Sequence, residues 1–182
     1  GGVFRSIDGG ESWTPITDRS IPNVVEVAVH PNDPDLVYVA ALGHPFGKNP
    51  ERGVYRSRDG GDSWENVLFL NDSTGAVSLA MDPGNPRVIY AGMWRAERKP
   101  WTLISGGPEG GLYKSTDGGA TWDNVATNWS TNTDPNGQNF GYGITGSSGG
   151  AWIPLTADLS AYSGDVLLGF RYWTDGYVVE QG

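Results

Sequence analysis

The sequence predicts an all-β protein assembled from small antiparallel sheets, and three observations lead to that prediction. The pattern Ser-x-Asp-Gly-Gly-x-(Ser/Thr)-Trp, called the box below, occurs three times, at residues 6–13, 57–64 and 115–122. The composition combines 28 Gly and 12 Pro with 8 Trp and 8 Tyr, which is typical of short strands joined by tight turns. Strand-like runs recur around the boxes at a period of roughly 50 residues, which is typical of repeated sheets.

Each box has the residue types of a tight hairpin turn. Its Ser and Asp side chains accept hydrogen bonds from N–H groups of the turn, and its glycines supply the positive φ angles that the turn requires. The final Trp offers a large apolar surface for packing on the sheet. We therefore assign a structural role to the boxes and regard their aspartates as poor catalytic candidates. The residues concerned are Ser6, Asp8, Gly10, Trp13, Ser57, Asp59, Gly61, Trp64, Ser115, Asp117, Gly119 and Trp122.

The strands predicted around the boxes follow the same order twice. A strand, a turn with two prolines and a second strand precede the box, which is flanked by a third and a fourth strand. The predicted strands are 24–29, 36–42, 53–56 and 64–70 in the first unit and 76–81, 88–94, 111–114 and 122–126 in the second. Four strands in roughly 50 residues is the size of a propeller blade. With the outer half of a blade at residues 1–18, residues 1–126 are predicted to form about two and a half blades of a partial β-propeller.

A closed propeller needs at least about four blades, and open sheet edges promote aggregation. We therefore expect this chain to be part of a longer protein, completed by the remaining blades or by neighbouring chains. The sequence begins inside a repeat, without Met or a signal peptide, which fits that expectation.

The composition changes near residue 127. The next two dozen residues are rich in Gly, Asn, Ser and Thr, contain no box, and are followed by predicted strands at 152–155, 166–173 and 177–179. We predict that 127–182 is part of a jelly-roll-like β-sandwich, with too few strands to close by itself. The same change is expected if two segments of separate origin are joined in one chain.

One possible metal site lies in this tail. Asp134, Asn136 and Asn139 place oxygen-bearing side chains around a glycine, an arrangement that suits Ca²⁺. A turn built on the Asp-Pro pair explains the same residues without a cofactor.

Charge and hydropathy exclude two classes of partner. The net charge of −9 and the pI near 4.5 argue against nucleic-acid binding, which needs a basic surface. No run of about 18 apolar residues is present, so no membrane span is predicted. The lack of cysteine is compatible with a secreted bacterial protein.

The boxes are similar to the Asp-box, or bacterial neuraminidase, repeat of sialidases, xyloglucan-cleaving glycosidases and sortilin-type receptors. Over residues 1 to about 126, and most closely over 51–122, the chain resembles the sortilin-like propellers of secreted bacterial proteins that carry a glycosyl hydrolase label. The resemblance implies a β-propeller and a secreted or cell-surface bacterial protein. It implies no particular reaction, because the boxes of sialidases lie at the propeller periphery.

The tail resembles a different family. Residues from about 130 to 182 are similar to the accessory β-sandwich of immune inhibitor A-type secreted metallopeptidases. The catalytic signature of those peptidases, His-Glu-x-x-His, is absent, and His30 and His44 have no matching Glu. The resemblance therefore implies no peptidase activity for this chain.

Two long insertions at equivalent positions of the repeated units are the candidate binding loops, at 43–52 and 94–110. They combine aromatic platforms with cationic donors in an otherwise acidic protein, which suits a sugar or a carboxylate ligand. Packing of both loops on neighbouring blades is the alternative interpretation. The candidate ligand-binding residues are His44, Phe46, Trp94, Arg95, Arg98, Lys99 and Trp101.

Glu97 and Glu109 are the one pair of carboxylates worth testing for glycoside hydrolysis, which uses two acids at a defined separation. Three functions follow from the sequence. The first is a non-catalytic binding or scaffold region of a secreted bacterial protein that recognises glycan or protein through its loops. The second is a fragment of a sialidase- or xyloglucanase-like glycoside hydrolase, and the third is an accessory region of a secreted metallopeptidase.

Overall fold

The computed structural model describes residues 2–17, 21–106 and 109–125, and all regular secondary structure in these ranges is β-strand. The predicted sandwich and the predicted Ca²⁺ ligands in the tail lie outside the described residues. The strands are β1 (Phe4–Arg5), β2 (Thr14–Pro15), β3 (Val24–His30), β4 (Asp33–Ala41), β5 (Gly53–Ser57), β6 (Glu65–Leu68), β7 (Thr74–Met81), β8 (Ile89–Lys99), β9 (Thr102–Ser105), β10 (Gly111–Ser115) and β11 (Asp123–Asn124).

These strands form three antiparallel sheets that follow one another along the chain. Sheet 1 pairs β1 with β2, and sheet 2 has the order β3-β4-β5-β6. Sheet 3 has the order β11-β10-β8-β7, and β9 pairs with β8 beside this path. The box hairpins join β1 to β2, β5 to β6 and β10 to β11. The predicted partial β-propeller is confirmed, with half a unit followed by two whole units.

Strand β4 is buried because it has apolar neighbours on both of its faces. Successive side chains of a strand point to opposite faces, so Val37, Val39 and Ala41 share one face while Tyr38 and Ala40 share the other. All five residues are at most 5% exposed. The continuous apolar run of this strand therefore reflects burial between two layers.

The main core lies between sheets 2 and 3. Side chains from both sheets interdigitate there: Tyr38, Ala40, Val54, Leu68, Ala76, Leu79, Ile89, Ala91 and Met93. Fully burying a Val, Leu, Ile or Met side chain stabilises a fold by about 1.5–3 kcal/mol. The packing of sheet 2 against sheet 3 therefore contributes strongly to the stability of both sheets. A second cluster, formed by Ile21, Val37, Val39 and Ala41, covers the other face of sheet 2.

Sheet 1 covers that second face only in part. Val3, the residue before β1, packs against the cluster, as do Tyr55 of β5 and Trp64, the residue before β6. On β3, however, Val25, Val27 and Val29 are 43–53% exposed. Sheet 1 has only two strands among the described residues, so it does not extend over β3. An exposed apolar face of this kind is expected in a partial propeller.

Strand β4 begins earlier than the sequence predicted. The turn with two prolines was expected to extend through Asp35, but Asp33 already pairs with His30. Pro34 has no N–H for a strand ladder, yet it is tolerated because the pairing of β4 with β5 begins only at Val37. The part of the chain that the structure describes contains no helix of the length and hydropathy needed to cross a membrane.

Candidate functional site

The three box turns have the same hydrogen bonds. In the second box, Ser57 Oγ donates to Asp59 Oδ1 at 2.7 Å and accepts from the Gly61 N–H at 2.7 Å. Asp59 Oδ1 also accepts from the Ser63 N–H at 2.9 Å, and Asp59 Oδ2 accepts from Ser63 Oγ at 2.5 Å. The first and third boxes repeat this arrangement around Asp8 and Asp117. Both carboxylate oxygens are thus occupied by the turn itself.

These bonds fix the charge of the box aspartates. In Asp8, Asp59 and Asp117 the pKa of the carboxyl lies far below its usual range. The main cause is a hydrogen bond from the hydroxyl four residues later, which belongs to Ser12, Ser63 and Thr121 in turn. A carboxylate that is stabilised in its ionised form is a weak proton donor, and its oxygens are already committed. The geometry therefore agrees with a structural role for the boxes.

The box tryptophans differ in their surroundings. Trp64 packs beside the second cluster, and its Nε1–H donates to the Ile16 carbonyl of the preceding unit at 2.8 Å. Trp122 packs against the main core. Trp13, by contrast, is 61% exposed and donates to Gly10 of its own turn, so the predicted packing of the first box tryptophan on a sheet is not found. No preceding sheet is present among the described residues to cover it.

A cation placed just before each of the first two boxes binds the next box. Arg5 Nη1 donates to the Gly60 carbonyl at 2.7 Å, and Arg56 Nη1 donates to the Gly118 carbonyl at 2.6 Å. Gly60 and Gly118 occupy the same position of their boxes. Tyr38 Oη also donates to the Gly118 carbonyl, at 2.8 Å. The boxes thus serve as hydrogen-bonded contacts between successive sheets.

The two predicted binding loops lie against each other, but the second is not a loop. Strand β8 continues to Lys99 and forms a hairpin with β9, with Ala96 paired to Ser105 and Lys99 paired to Thr102. The prediction of a strand that ends at Trp94 was therefore wrong. The second half of β8 is hard to recognise from the sequence because it is rich in basic and aromatic residues. These residues give no clear alternation of apolar and polar positions, and no turn residue occurs before Pro100.

One backbone hydrogen bond and one hydrogen bond from a side chain join the 43–52 loop to this β8–β9 hairpin. The Arg98 N–H donates to the Pro45 carbonyl at 2.5 Å, and Arg52 Nη2 donates to the Ala96 carbonyl at 3.0 Å. Two large aromatic side chains on these joined segments point outward, with Phe46 70% exposed and Trp101 80% exposed. Leu103 on β9 is 45% exposed. Exposed aromatic surface of this kind is available for a ligand.

The remaining candidate residues divide between surface and framework. Arg98 is exposed, and Lys99 is partly exposed and pairs with Glu97. Trp94 is half-buried and its Nε1–H donates to Ser105 Oγ at 3.1 Å, which holds the hairpin. Arg95 and His44 are half-buried, and the His44 carbonyl serves as an acceptor inside the 43–52 loop. Phe46, Arg98 and Trp101 are thus the predicted binding residues that are best placed to meet a ligand.

Of the two candidate catalytic carboxylates, Glu97 lies in a setting that favours a framework role. Glu97 is 9% exposed and forms an ion pair with Lys99. The hydrogen bond from Lys99 lowers the pKa of the Glu97 carboxyl, whereas a general acid needs a raised pKa. The Glu109 carbonyl accepts from Tyr113 Oη at 2.9 Å, so its backbone supports the strand that precedes the third box.

Sequence reasoning missed the two buried polar residues of the loop. Arg52 is fully buried and Asn49 is 5% exposed. Their partners are backbone carbonyls, which every residue carries, so no side-chain pattern indicates them. No group of three or more His, Asp or Glu residues that could bind a metal is found in residues 2–17, 21–106 and 109–125.

Comparison with known proteins gives one family and several enzymes. The model of the Sortilin-Vps10 family, described as sortilin or neurotensin receptor 3, matches residues 1–133. The xyloglucanase of Hypocrea jecorina is 31% identical over 182 aligned positions, which span 90% of this chain and 20% of that protein. The xyloglucanase Xgh74A of Acetivibrio thermocellus is 30% identical over 139 positions, 69% of this chain and 15% of its own length.

A solved structure supports the same fold. The crystal structure of an ancestral GH74 enzyme superposes with a TM-score of 0.52 and 24% identity, covering 68% of this chain and 15% of the enzyme. The chain thus spans about a fifth or less of the length of the relatives it matches. These matches support a propeller similar to those of glycoside hydrolases. They lend no support to the predicted similarity of the tail to immune inhibitor A-type peptidases.

Proposed function

We propose, since this chain belongs to the Sortilin-Vps10 family, that it forms part of the β-propeller of a larger glycoside hydrolase and supplies saccharide contacts rather than the catalytic acids. The observation that carries the proposal is the pair of exposed aromatics, Phe46 and Trp101, on two segments joined by the bond between Arg98 and Pro45. Aromatic faces flanked by a few polar groups are typical of sites for small organic ligands. Names of the relatives make a xyloglucan-type polysaccharide the first ligand to test.

The surroundings of the aromatics fit a neutral, hydroxyl-rich ligand. Arg98 is exposed beside them as a donor, and the positive charge of Lys99 is offset by Glu97. A saccharide binds through apolar ring faces and hydroxyl groups, so it needs stacking surface and hydrogen bonds rather than a strong field. Because such a polymer occurs outside cells, the proposal includes a secreted or cell-surface protein.

Binding of xyloglucan oligosaccharides to the full chain, measured by isothermal titration calorimetry, tests the proposal. Trp101→Ala and Phe46→Ala are each expected to weaken the affinity about tenfold, which corresponds to roughly 1.4 kcal/mol of lost stacking. Trp13→Ala and Ile7→Ala are the matched controls, because both residues are exposed and belong to the first box, outside the joined segments. No measurable binding by the wild-type chain, or equal losses in the controls, contradicts the proposal.

A separate measurement tests the assignment of the carboxylates. Glu97→Gln and Glu109→Gln in the full-length protein are expected to leave any hydrolysis of xyloglucan within a few-fold of the wild-type rate. The ion pair with Lys99 and the lowered pKa are the reasons for Glu97, and without Glu97 the second residue, Glu109, lacks the partner that a pair of catalytic acids requires. Removal of a catalytic acid is expected to slow hydrolysis by roughly a thousandfold. A loss of that size in either variant overturns the conclusion that these two carboxylates are not catalytic.

A protein or peptide ligand is the second candidate function. Exposed Leu103 next to the hairpin turn adds aliphatic surface, which a peptide uses as readily as a saccharide. Binding to a peptide library that is lost on Trp101→Ala, with no saccharide binding by the wild-type chain, is the outcome that favours it.

A further inference from the structure

Arg52 is a fully buried arginine at the junction of the two segments that carry the exposed aromatics. Its Nη2 donates to the carbonyls of His44 at 3.0 Å, Gly47 at 3.2 Å and Ala96 at 3.0 Å. His44 and Gly47 flank Phe46 in sequence, whereas Ala96 lies on β8, five residues before Trp101. A single guanidinium therefore contacts both the Phe46 loop and the Trp101 hairpin.

Asn49 reinforces this contact from inside the loop. Its Nδ2 donates to the same two loop carbonyls, at 3.0 Å to His44 and 3.0 Å to Gly47. Its backbone N–H donates to the Asp72 carbonyl at 2.9 Å. Gly43, with φ of +71°, closes the loop so tightly that a Cβ there collides with Asn49 Oδ1 and Arg52 Cγ. The loop is thus packed around these two side chains.

Burial of Arg52 carries an energetic cost that a simple filler residue avoids. Its Nε and Nη1 have no hydrogen-bond partner among the described residues, and its desolvation lowers the pKa of the guanidinium. Glu97 and Asp72 offset the charge only through space. An apolar side chain of similar volume often stabilises such a position as well or better. The gain that remains is a more closely defined geometry between the 43–52 loop and the β8–β9 hairpin.

We propose that Arg52 is a positioning residue that holds Phe46 and Trp101 in one fixed arrangement, so that both aromatics bind the same ligand chain. The purpose of the arrangement rests on the proposed saccharide-binding function. The contact of Arg52 with both segments, called the clamp below, does not depend on that function. Without Arg52 the two segments keep the backbone bond from the Arg98 N–H to the Pro45 carbonyl. All three bonds are donated by one terminal nitrogen, Nη2, and a lysine side chain ends one atom closer to the backbone, so its ammonium does not reach the same position.

Spin labels test the clamp without any ligand. The chain contains no cysteine, so Phe46→Cys with Trp101→Cys creates a unique labelling pair in the full chain. Double electron–electron resonance is expected to give a narrow distribution of distances between the two labels when Arg52 is present. The width is expected to match that of a control pair of labels at Val29 in β3 and at Phe69, the residue after β6. The distribution is expected to broaden in Arg52→Lys and in Arg52→Met, and to remain narrow in Arg58→Lys, a change at an exposed arginine.

The outcomes are decisive in both directions. A broad distribution in the wild-type background overturns the proposal, and so does an unchanged width in whichever Arg52 variant keeps the circular dichroism spectrum and cooperative unfolding of the wild type. Arg52→Met guards against a failure to fold, because it fills the site without a buried charge.

Ligand binding then links the clamp to the function. If the proposed function is correct, Arg52→Met binds xyloglucan oligosaccharide about tenfold more weakly, and Phe46→Ala in that background causes little further loss, since the two aromatics no longer act together. A purely structural role predicts the same loss for Phe46→Ala in both backgrounds. Absence of saccharide binding together with a narrow distribution that broadens in the variants refutes the function and retains the clamp.

Discussion

At the scale of single residues, the box aspartates look like catalytic acids, but their carboxylate oxygens are all used in hydrogen bonds of the turn. The hydroxyl at the seventh box position donates to one carboxylate oxygen, and the backbone N–H of the same residue donates to the other. Ionisation strengthens both bonds, so the fold depends on the charged form of the carboxyl. The three turns are therefore sensitive to acid rather than available for acid–base catalysis.

Acid unfolding tests this dependence. The pKa of Asp59 is lowered in the folded state from a usual value of 3.8, so its stabilisation is complete above that value and is lost as the pH falls below it. Asp59→Asn is expected to be less stable at neutral pH and to lose less further stability on acidification than the wild type. Ser63→Ala, which removes the main hydrogen bond, is expected to be intermediate. Urea midpoints that fall equally with pH in all three proteins contradict the prediction.

At the scale of secondary-structure elements, the β8–β9 hairpin decides how the candidate site is built. An eleven-residue strand pairs with β7 through its first part and with β9 through its last four residues. Its end carries the aromatic and basic residues to the place where the Phe46 loop lies. A flexible loop of the same composition does not hold Trp101 in a defined position, because its ordering on binding costs free energy.

Hydrogen exchange distinguishes the hairpin from a loop. Backbone amides of residues 96–105 are expected to exchange slowly, at rates similar to those of residues 89–93, because both segments form strand ladders. Mass spectrometry of peptides that cover the two segments in the full chain measures this. Complete exchange of 96–105 within seconds, beside protected 89–93, shows that the hairpin does not persist in solution.

At the scale of the whole molecule, successive sheets are joined by an apolar core and by a repeated hydrogen bond. Arg5 and Arg56, each just before a box, donate to the first glycine of the next box. Arg56 is 6% exposed, and its Nη2 also pairs with Glu65 at 2.9 Å. The same residue type at the same position of the repeat thus makes the same contact between neighbours.

Loss of this contact is expected to weaken the docking of sheet 3 on sheet 2. Arg56→Met is expected to lower the free energy of unfolding by roughly 2–3 kcal/mol, because hydrogen bonds of a charged donor to the Gly118 carbonyl and to Glu65 are lost. Arg58→Met, at an exposed position, is expected to change it by no more than about 0.5 kcal/mol. Urea unfolding measures both, and equal stability of the two variants argues against the contact.

The class of fold and the number of repeated units follow from local patterns in the sequence. Residue types of the box encode a local turn, and alternating apolar residues encode strands, so both are visible in a short window of sequence. The structural role of Asp8, Asp59 and Asp117 followed from the same local chemistry. The equivalent positions of 43–52 and 94–110 in the repeat likewise marked both segments as candidate binding loops.

The way the candidate site is held depends on contacts between residues far apart in the chain. It extended β8 to Lys99, paired Glu97 with Lys99 and left Phe46 and Trp101 exposed. It also showed that Arg52 binds three carbonyls from two segments. Backbone carbonyls are the same in every residue, so a contact between a side chain and a distant carbonyl leaves no pattern in the sequence. Such contacts exist only once the chain has folded, and here they join the 43–52 loop to the β8–β9 hairpin.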